Sequence, residues 1–440
     1  MARNIVILLD GTSNQISGDR TNVLRLYGSL ERSRRQLVFY QPGVGTFGLS
    51  GWWQRLKSKT RIVLGLATGA GIEDNVMEAY RFLVENHEFG DRIYLFGFSR
   101  GAYTARLLAG FIRIFGLVRP EQLQLVRYAW RAYARLGEPG TKDFAAEIGH
   151  FQKVLGGFGV RIEFLGLWDT VASVFDAKAG FPWLTTTQKA YTNENNRVKT
   201  VRHALAIDER RTYFQPSLWE PGQRYEFWSR DDRRFVTIAQ DFEEVWFAGC
   251  HGDVGGGYPD AKSGLAKIPF EWLYREAVAH GVRENEEVFE LLTHGATTPG
   301  SPRASQEPAP QLADDEADKR QKHYGAPDPL AEINNSMNAG WAFVEFLPRK
   351  VPKTSFLRQL QIGRIYWPVF DYRRVPEGAK LHAAVIERLA GRTDYRPPNL
   401  PDRYEMVTTR AAEGLSTEES PLPNPTPQGG GVGEGPSFQH

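Results

Sequence analysis

The feature that most constrains this chain is a five-residue turn, Gly97-Phe98-Ser99-Arg100-Gly101. It is set between an apolar run, Arg92 to Phe98 (RIYLFGF), and a helical pattern, Gly101 to Phe115. A continuous apolar run reads as a strand buried on both faces, and a helix that follows at once leaves the serine at the edge of the sheet. Glycines two residues either side let strand and helix approach closely and tolerate the strained backbone of such a turn. The helix start also directs its free amides and positive dipole end at any oxygen bonded to the serine. This context points to a nucleophilic Ser99 on an elbow, with the Arg100 amide as first oxyanion donor. The same letters can form an ordinary Gly/Ser turn, a reading that the strand-to-helix context argues against.

The rest of the chain repeats the alternation. Asn4 to Leu9 (NIVILL) and Leu37 to Tyr40 read as buried strands. Ile72 to Asn86 has apolar residues at Val76, Ala79, Tyr80 and Leu83, the spacing of an amphipathic helix. Helical patterns at Glu121 to Leu136 and Lys142 to Leu155 precede a strand at Arg161 to Trp168. After an aromatic-rich stretch from Tyr213 to Trp228, a further strand is expected at Glu244 to Cys250 (EVWFAGC), and Lys380 to Leu389 reads as a helix. Strands alternating with helices predict an α/β fold with a mostly parallel central sheet and helices on both faces, binding ligands at the carboxyl ends of its strands. Residues 1–415 are expected to form one domain, with a Pro- and charge-rich surface loop or linker near 300–329. Residues 416–440 read as a disordered Pro/Gly-rich tail.

Composition narrows the function. The 54 Lys and Arg against 52 Asp and Glu give no field that would gather nucleic acid, so no nucleic-acid partner is expected. Cys250 is the single cysteine, so no internal disulfide can form. Met1 to Asp10 runs straight into a strand without the basic and apolar regions of a signal peptide, which predicts cytoplasmic synthesis without cleavage. The apolar stretch Leu107 to Val118 contains Arg113 and falls short of the ~20 residues that span a bilayer.

A serine hydroxyl needs a base, and in α/β-hydrolase order the acid follows the nucleophile and the histidine comes last. Asp169 follows RIEFLGLW and His251 follows EVWFAGC, so each falls where the sheet presents its carboxyl edge and can converge on Ser99. Taken singly, Asp169 could be a helix cap and His251 a satisfied structural histidine. Asp253, in His251-Gly252-Asp253, is a rival acid. His203, in the helix-like segment His203 to Arg211, is a second candidate base. Asp10-Gly11-Thr12 follows the first strand, and the Gly11 and Thr12 groups could complete the oxyanion hole; a capped tight turn explains them equally well.

Together these blocks resemble a known family. Phe96 to Ala102, Leu165 to Val171, His203 to Arg211 and Trp246 to Tyr258 look like successive blocks of an α/β-hydrolase domain of formerly unknown function. Its best understood members are type VI secretion phospholipase effectors of bacteria. Leu9 to Thr12 and Tyr40 to Thr46 match its opening blocks, and Leu381 to Leu389 gives a weaker echo. The resemblance implies a Ser99, Asp169, His251 triad acting on esters or phospholipids. It departs at Gly252, where the family usually has serine, and the chain has little room for the membrane-anchoring module of the larger effectors.

The leading expectation is therefore a serine esterase or lipase-like hydrolase that needs no cofactor or metal and acts on a small-molecule or lipid ester. Transient contact with a membrane surface, export by a specialised secretion system, and a secretion-system or immunity partner follow from the resemblance. Two readings of other classes stand beside it. In one, Asp10, Asp169, His251 and Asp253 hold a divalent ion in a phosphoesterase; in the other, the fold is a non-catalytic binding module.

Overall fold

The computed structural model describes residues 2–11, 20–43, 71–136, 144–171, 175–176, 185–186, 192–229, 233–295, 326–337, 341–342, 345–346, 348–350, 356, 360–362 and 365–410. These lie in one unit, Met1–Arg410; a second unit, Ala411–His440, is outside the described residues, as are Thr12, Val44 to Thr46 and nearly all of the proposed 300–329 loop.

Eight strands form the central sheet: β1 (Asn4–Leu9), β2 (Gln36–Gln41), β3 (Arg92–Phe98), β4 (Ile162–Trp168), β5 (Val198–Ala206), β6 (Asp241–Phe247), β7 (Ala379–His382) and β8 (Tyr404–Val407). Their order is β8-β7-β6-β5-β4-β3-β1-β2 and every pairing is parallel, as the buried aliphatic runs require. The helices that bear on the site are α1 (Asn22–Ser29), α2 (Ile72–Asn86), α3 (Arg100–Phe115), α4 (Leu123–Ala134), α5 (Phe144–Leu155), α6 (His251–Gly255), α7 (Gly264–Ala279) and α8 (Glu286–His294).

The period of two along β1 divides the core. Ile5, Ile7 and Leu9 pack with α2, α3 and α4 on one face. Val6 and Leu8 pack with Val23 and Leu26 of α1 and with Phe270, Trp272 and Leu273 of α7 on the other. Because β1 lies between β2 and β3, the strand order reverses there, and sheets of this kind bind ligands at the carboxyl ends of the strands beside such a switch point. Ser99 follows β3 directly beside it.

Two expectations are corrected. The segment from His203 is strand, not helix: β5 is central and covered on both faces, so its unbroken apolar tail Ala204-Leu205-Ala206 lost the alternation that would have marked it. Lys380 to Leu389 is strand β7 followed by α9 (Ala383–Gly391), with His382 capping the helix through the Ala384 amide.

Candidate active site

Ser99 stands between β3 and α3 at φ 58° and ψ −119°, a region that non-glycine residues seldom occupy. The flanking glycines are needed on steric grounds. A Cβ on Gly97 would lie 2.5 Å from the Gly101 carbonyl, and one on Gly101 would lie 2.1 Å from the Leu9 oxygen. The elbow is thus wedged against the end of β1, and the Ser99 amide continues the sheet ladder by donating to the Trp168 carbonyl at 3.0 Å.

His251 lies a short turn beyond the sheet. The expected strand to Cys250 ends at Phe247, and a turn with Gly249 at φ 110° leads into α6, whose first residue is His251. Its Nε2 is 2.8 Å from Ser99 Oγ and its Nδ1 is 2.5 Å from Asp169 Oδ2. A carboxylate facing Nδ1 assigns the proton to that nitrogen and leaves Nε2 to accept from the serine. The imidazole is held between the Phe98 ring at 4.7 Å and the edge of Phe214 at 4.9 Å. Burial pushes its pKa below the ordinary histidine value, against the pull of Asp169, so the ring is neutral at neutral pH.

Asp169 caps β4 at φ 38° and is fully buried. Oδ1 accepts the Ala206 amide at 3.0 Å and Arg373 Nη1 at 2.6 Å, while Oδ2 accepts Arg373 Nη2 at 2.9 Å as well as His251. Burial alone would raise its pKa. The Arg373 guanidinium and the imidazole outweigh it and hold the carboxyl well below the usual carboxylate range. Neither Arg373 nor the aromatic wall was visible in the sequence reading. A buried aspartate demands a cation, but nothing marks which of the chain's arginines, 204 positions away in this case, supplies it.

The other candidates are engaged elsewhere. His203 is fully buried, with Nδ1 2.8 Å from Glu244 and Nε2 accepting the Thr170 amide at 3.2 Å, so it braces the residue after Asp169. Asp253 accepts the Cys250 amide and both the backbone and side chain of Asn334. Asp10 accepts the Gly11 amide at 2.6 Å and the hydroxyls of Thr21 and Tyr40. The Gly11 N–H is therefore committed to Asp10. Glu209, another buried acid, takes the His251 amide and binds Arg211 through both oxygens. Among the described residues no three His, Cys, Asp or Glu side chains converge as metal ligands. The Arg100 amide opens α3, where helix amides have no intrahelical acceptor.

Fold and site together define an α/β-hydrolase-like protein with a serine, a histidine and an aspartate in hydrogen-bonded sequence. Over residues 3–276 the chain matches the family described as T6SS, phospholipase effector Tle1-like, catalytic domain, and it belongs to that family. It is 34% identical over 232 residues to an uncharacterized protein of Saccharomyces cerevisiae, covering 50% of this chain and 33% of the relative. The chain thus spans about a third of that relative's length. Two solved structures are similar at lower levels. One is an uncharacterized protein from Pseudomonas aeruginosa (21% identity, 64% of this chain and 46% of that one, TM-score 0.34). The other is the Tle1 effector bound to the VgrG spike of the type VI secretion system (20% identity, 60% and 53%, TM-score 0.30). At Gly252 a Cβ would lie 2.5 Å from the Tyr258 ring, which fills that space. Among the described residues no helix is long and apolar enough to cross a membrane.

Proposed function

We propose that this chain is a serine hydrolase that cleaves a carboxylic ester, with a phospholipid or other lipid ester as the substrate class, through an acyl-enzyme on Ser99. The observation that carries this reading is the chain of contacts from Ser99 Oγ to His251 Nε2 at 2.8 Å and from His251 Nδ1 to Asp169 at 2.5 Å, mounted on a strained elbow. His251 takes the hydroxyl proton as Oγ attacks the ester carbonyl, and Asp169 stabilises the imidazolium that forms. The oxyanion is met by the Arg100 amide at the start of α3. Gly11, two residues after β1, and Thr12, which follows it in the sequence, are the proposed second contributors; the Gly11 amide must first leave Asp10. His251 then returns its proton to the leaving alcohol, and water, activated by the same imidazole, releases the acid.

The phosphoesterase reading is the weaker one, because Asp10 and Asp253 spend their oxygens on neighbouring donors and Asp169 is taken up by Arg373 and His251. Lipid as substrate class, brief contact with a membrane surface, and export with a secretion-system or immunity partner rest on family membership alone. We further propose that residues 1–415 act as one catalytic domain and that 416–440 are dispensable. Incubation with a fluorophosphonate probe, p-nitrophenyl esters of graded length and phospholipid vesicles tests the reading. Labelling that maps to Ser99, with hydrolysis of esters in the presence of a chelator, is expected. Hydrolysis that a chelator abolishes while Ser99 stays unlabelled would return the site to the metal-dependent class.

A further inference from the structure

We infer that Arg373 is a positioning residue of this site, a two-pronged clamp that fixes the Asp169 carboxylate and neutralises part of its charge, so that His251 gives up its proton at lower pH than an unclamped pair would. The inference rests on the serine-hydrolase reading above.

The clamp is fully built. Arg373 is 1% exposed, and its fork meets the carboxylate edge on, with Nη1 2.6 Å from Oδ1 and Nη2 2.9 Å from Oδ2. The remaining donors go to backbone: Nη1 to the Ala206 carbonyl at 3.0 Å, and Nε at 3.1 Å together with Nη2 to the Phe214 carbonyl. All five guanidinium hydrogens thus have acceptors, the saturated state that a buried arginine requires. The same side chain therefore holds both the acid and the residue whose ring edges His251. Its own backbone is anchored in turn, since Asn399 Nδ2 donates to the carbonyls of Arg373 and Ile207, both at 3.0 Å.

The chain takes on strain to deliver it. Val369 and Phe370 have φ of 43° and 61°, which costs a branched or bulky residue free energy and persists only where the surroundings enforce it. Here the Val369 amide donates to the Glu345 carbonyl, the Asp371 amide to Pro368, and the Tyr366 hydroxyl to Asp371. Arg373 lies beyond residue 276, where the family match ends, so a segment outside that match supplies a part of the site.

The electrostatic consequence sets the clamp apart from a mere structural tie. An aspartate with no other partner draws a proton onto the imidazole it faces; one paired on both oxygens with a cation does so less. The groups facing His251 are Asp169, Ser99, Glu209 at its amide, and Arg211 behind Glu209. Asp169 also lies near His203, whose Nδ1 donates to Glu244 and has the Arg106 guanidinium beside it at 3.3 Å. Beyond them, the Arg373 guanidinium touches the acid directly, on both oxygens.

The test follows kcat/KM for p-nitrophenyl acetate against pH in wild type, Arg373→Met and Arg373→Lys, each first checked for fluorophosphonate labelling at Ser99 and for a native circular dichroism spectrum. Removing the cation should raise the acid limb of the Arg373→Met profile by about one pH unit, since the unclamped Asp169–His251 pair takes up a proton more readily. Lysine keeps a charge but cannot bridge both oxygens, so Arg373→Lys should hold the limb near wild type while turnover falls on the order of tenfold to a hundredfold with little change in KM. A labelled, folded Arg373→Met enzyme with an unmoved limb overturns the inference, as does full turnover in Arg373→Lys; the lysine variant decides alone if the methionine variant does not fold. Failure of the wild type to label at Ser99 would instead strike the serine-hydrolase reading itself.

Discussion

The elbow at Ser99 and the turn at Arg373 serve one site but are built in opposite ways. The elbow is local: strand, serine and helix are contiguous, and both glycines are dictated by contacts within a few residues or with the neighbouring strand β1. The turn at Arg373 is remote: it reaches an acid 204 positions away, through strained non-glycine backbone and a chain of buried hydrogen bonds. A nucleophile needs exposure and a fixed backbone, which a short motif can provide. A buried carboxylate needs neutralisation, which tertiary structure must bring from elsewhere.

The largest expected effect lies on the local side. Ser99→Ala should lower ester turnover by about a millionfold while leaving the fold intact, because the elbow's constraint resides in its glycines. Activity retained with a normal circular dichroism spectrum would break the assignment. Asp169→Asn comes next, with a loss of about 10⁴-fold, since an amide at that place favours the wrong imidazole tautomer. Its stability should also fall, because the buried Arg373 loses its counter-charge.

On the remote side the effects are smaller, and beyond Arg373 itself they fall on stability. Asn399→Ala leaves the carbonyls of Arg373 and Ile207 without a donor and should cost roughly 1–3 kcal/mol, read as a melting temperature lower by several degrees. An unchanged melting temperature would show that the anchor is dispensable.

Acid should also destabilise the fold. His203, His251 and His382 are pushed below the ordinary histidine value by burial, His382 to about 4. The folded state thus binds these protons less readily than the unfolded chain. Their stabilising contribution is complete above about pH 6.5 and is lost as the pH falls toward the folded values. Asp208, whose carboxyl burial pushes up to about 6, contributes in the opposite sense, gaining as the pH falls through that value. His87 is lowered by burial in the same way, and Asp253 is raised by burial in the same sense as Asp208. Four histidines against two carboxyls predict a lower melting temperature at pH 5 than at pH 7.5; an equal or higher one would contradict the burial of these rings. Smallest of all, truncation after Ser416 should leave the melting temperature and turnover unchanged, and a marked fall would show that the tail packs on the domain.

How much of this was legible in the sequence follows the same division. The apolar runs that became β1, β3 and β4, the helix after Ser99, and the placing of Asp169 and His251 beyond strand ends were all readable, because each rests on periodicity or contiguity. His203 misled because a central strand covered on both faces shows no alternation, and flanking charges such as Arg202, paired with Glu276 and Asp241, imitate a helix's polar face. The extra turn between β6 and His251 was hidden by Ala248-Gly249-Cys250, residues that continue the strand pattern while Gly249 breaks its geometry. Arg373 and Phe214 carry no local mark, since their roles exist only in the folded contacts.

The two histidines give the most direct test of the proposed chemistry, because β5 carries one and the turn after β6 the other, yet only His251 reaches Ser99. Alanine variants of both should be compared for p-nitrophenyl acetate hydrolysis, whose good leaving group limits the demand for acid catalysis and isolates the base step. His251→Ala should lose several orders of magnitude in turnover, whereas His203→Ala, which removes a brace on Thr170, should lose far less. A dead His203→Ala enzyme beside a His251→Ala enzyme that keeps most of its turnover would contradict the assignment of His251 as the base.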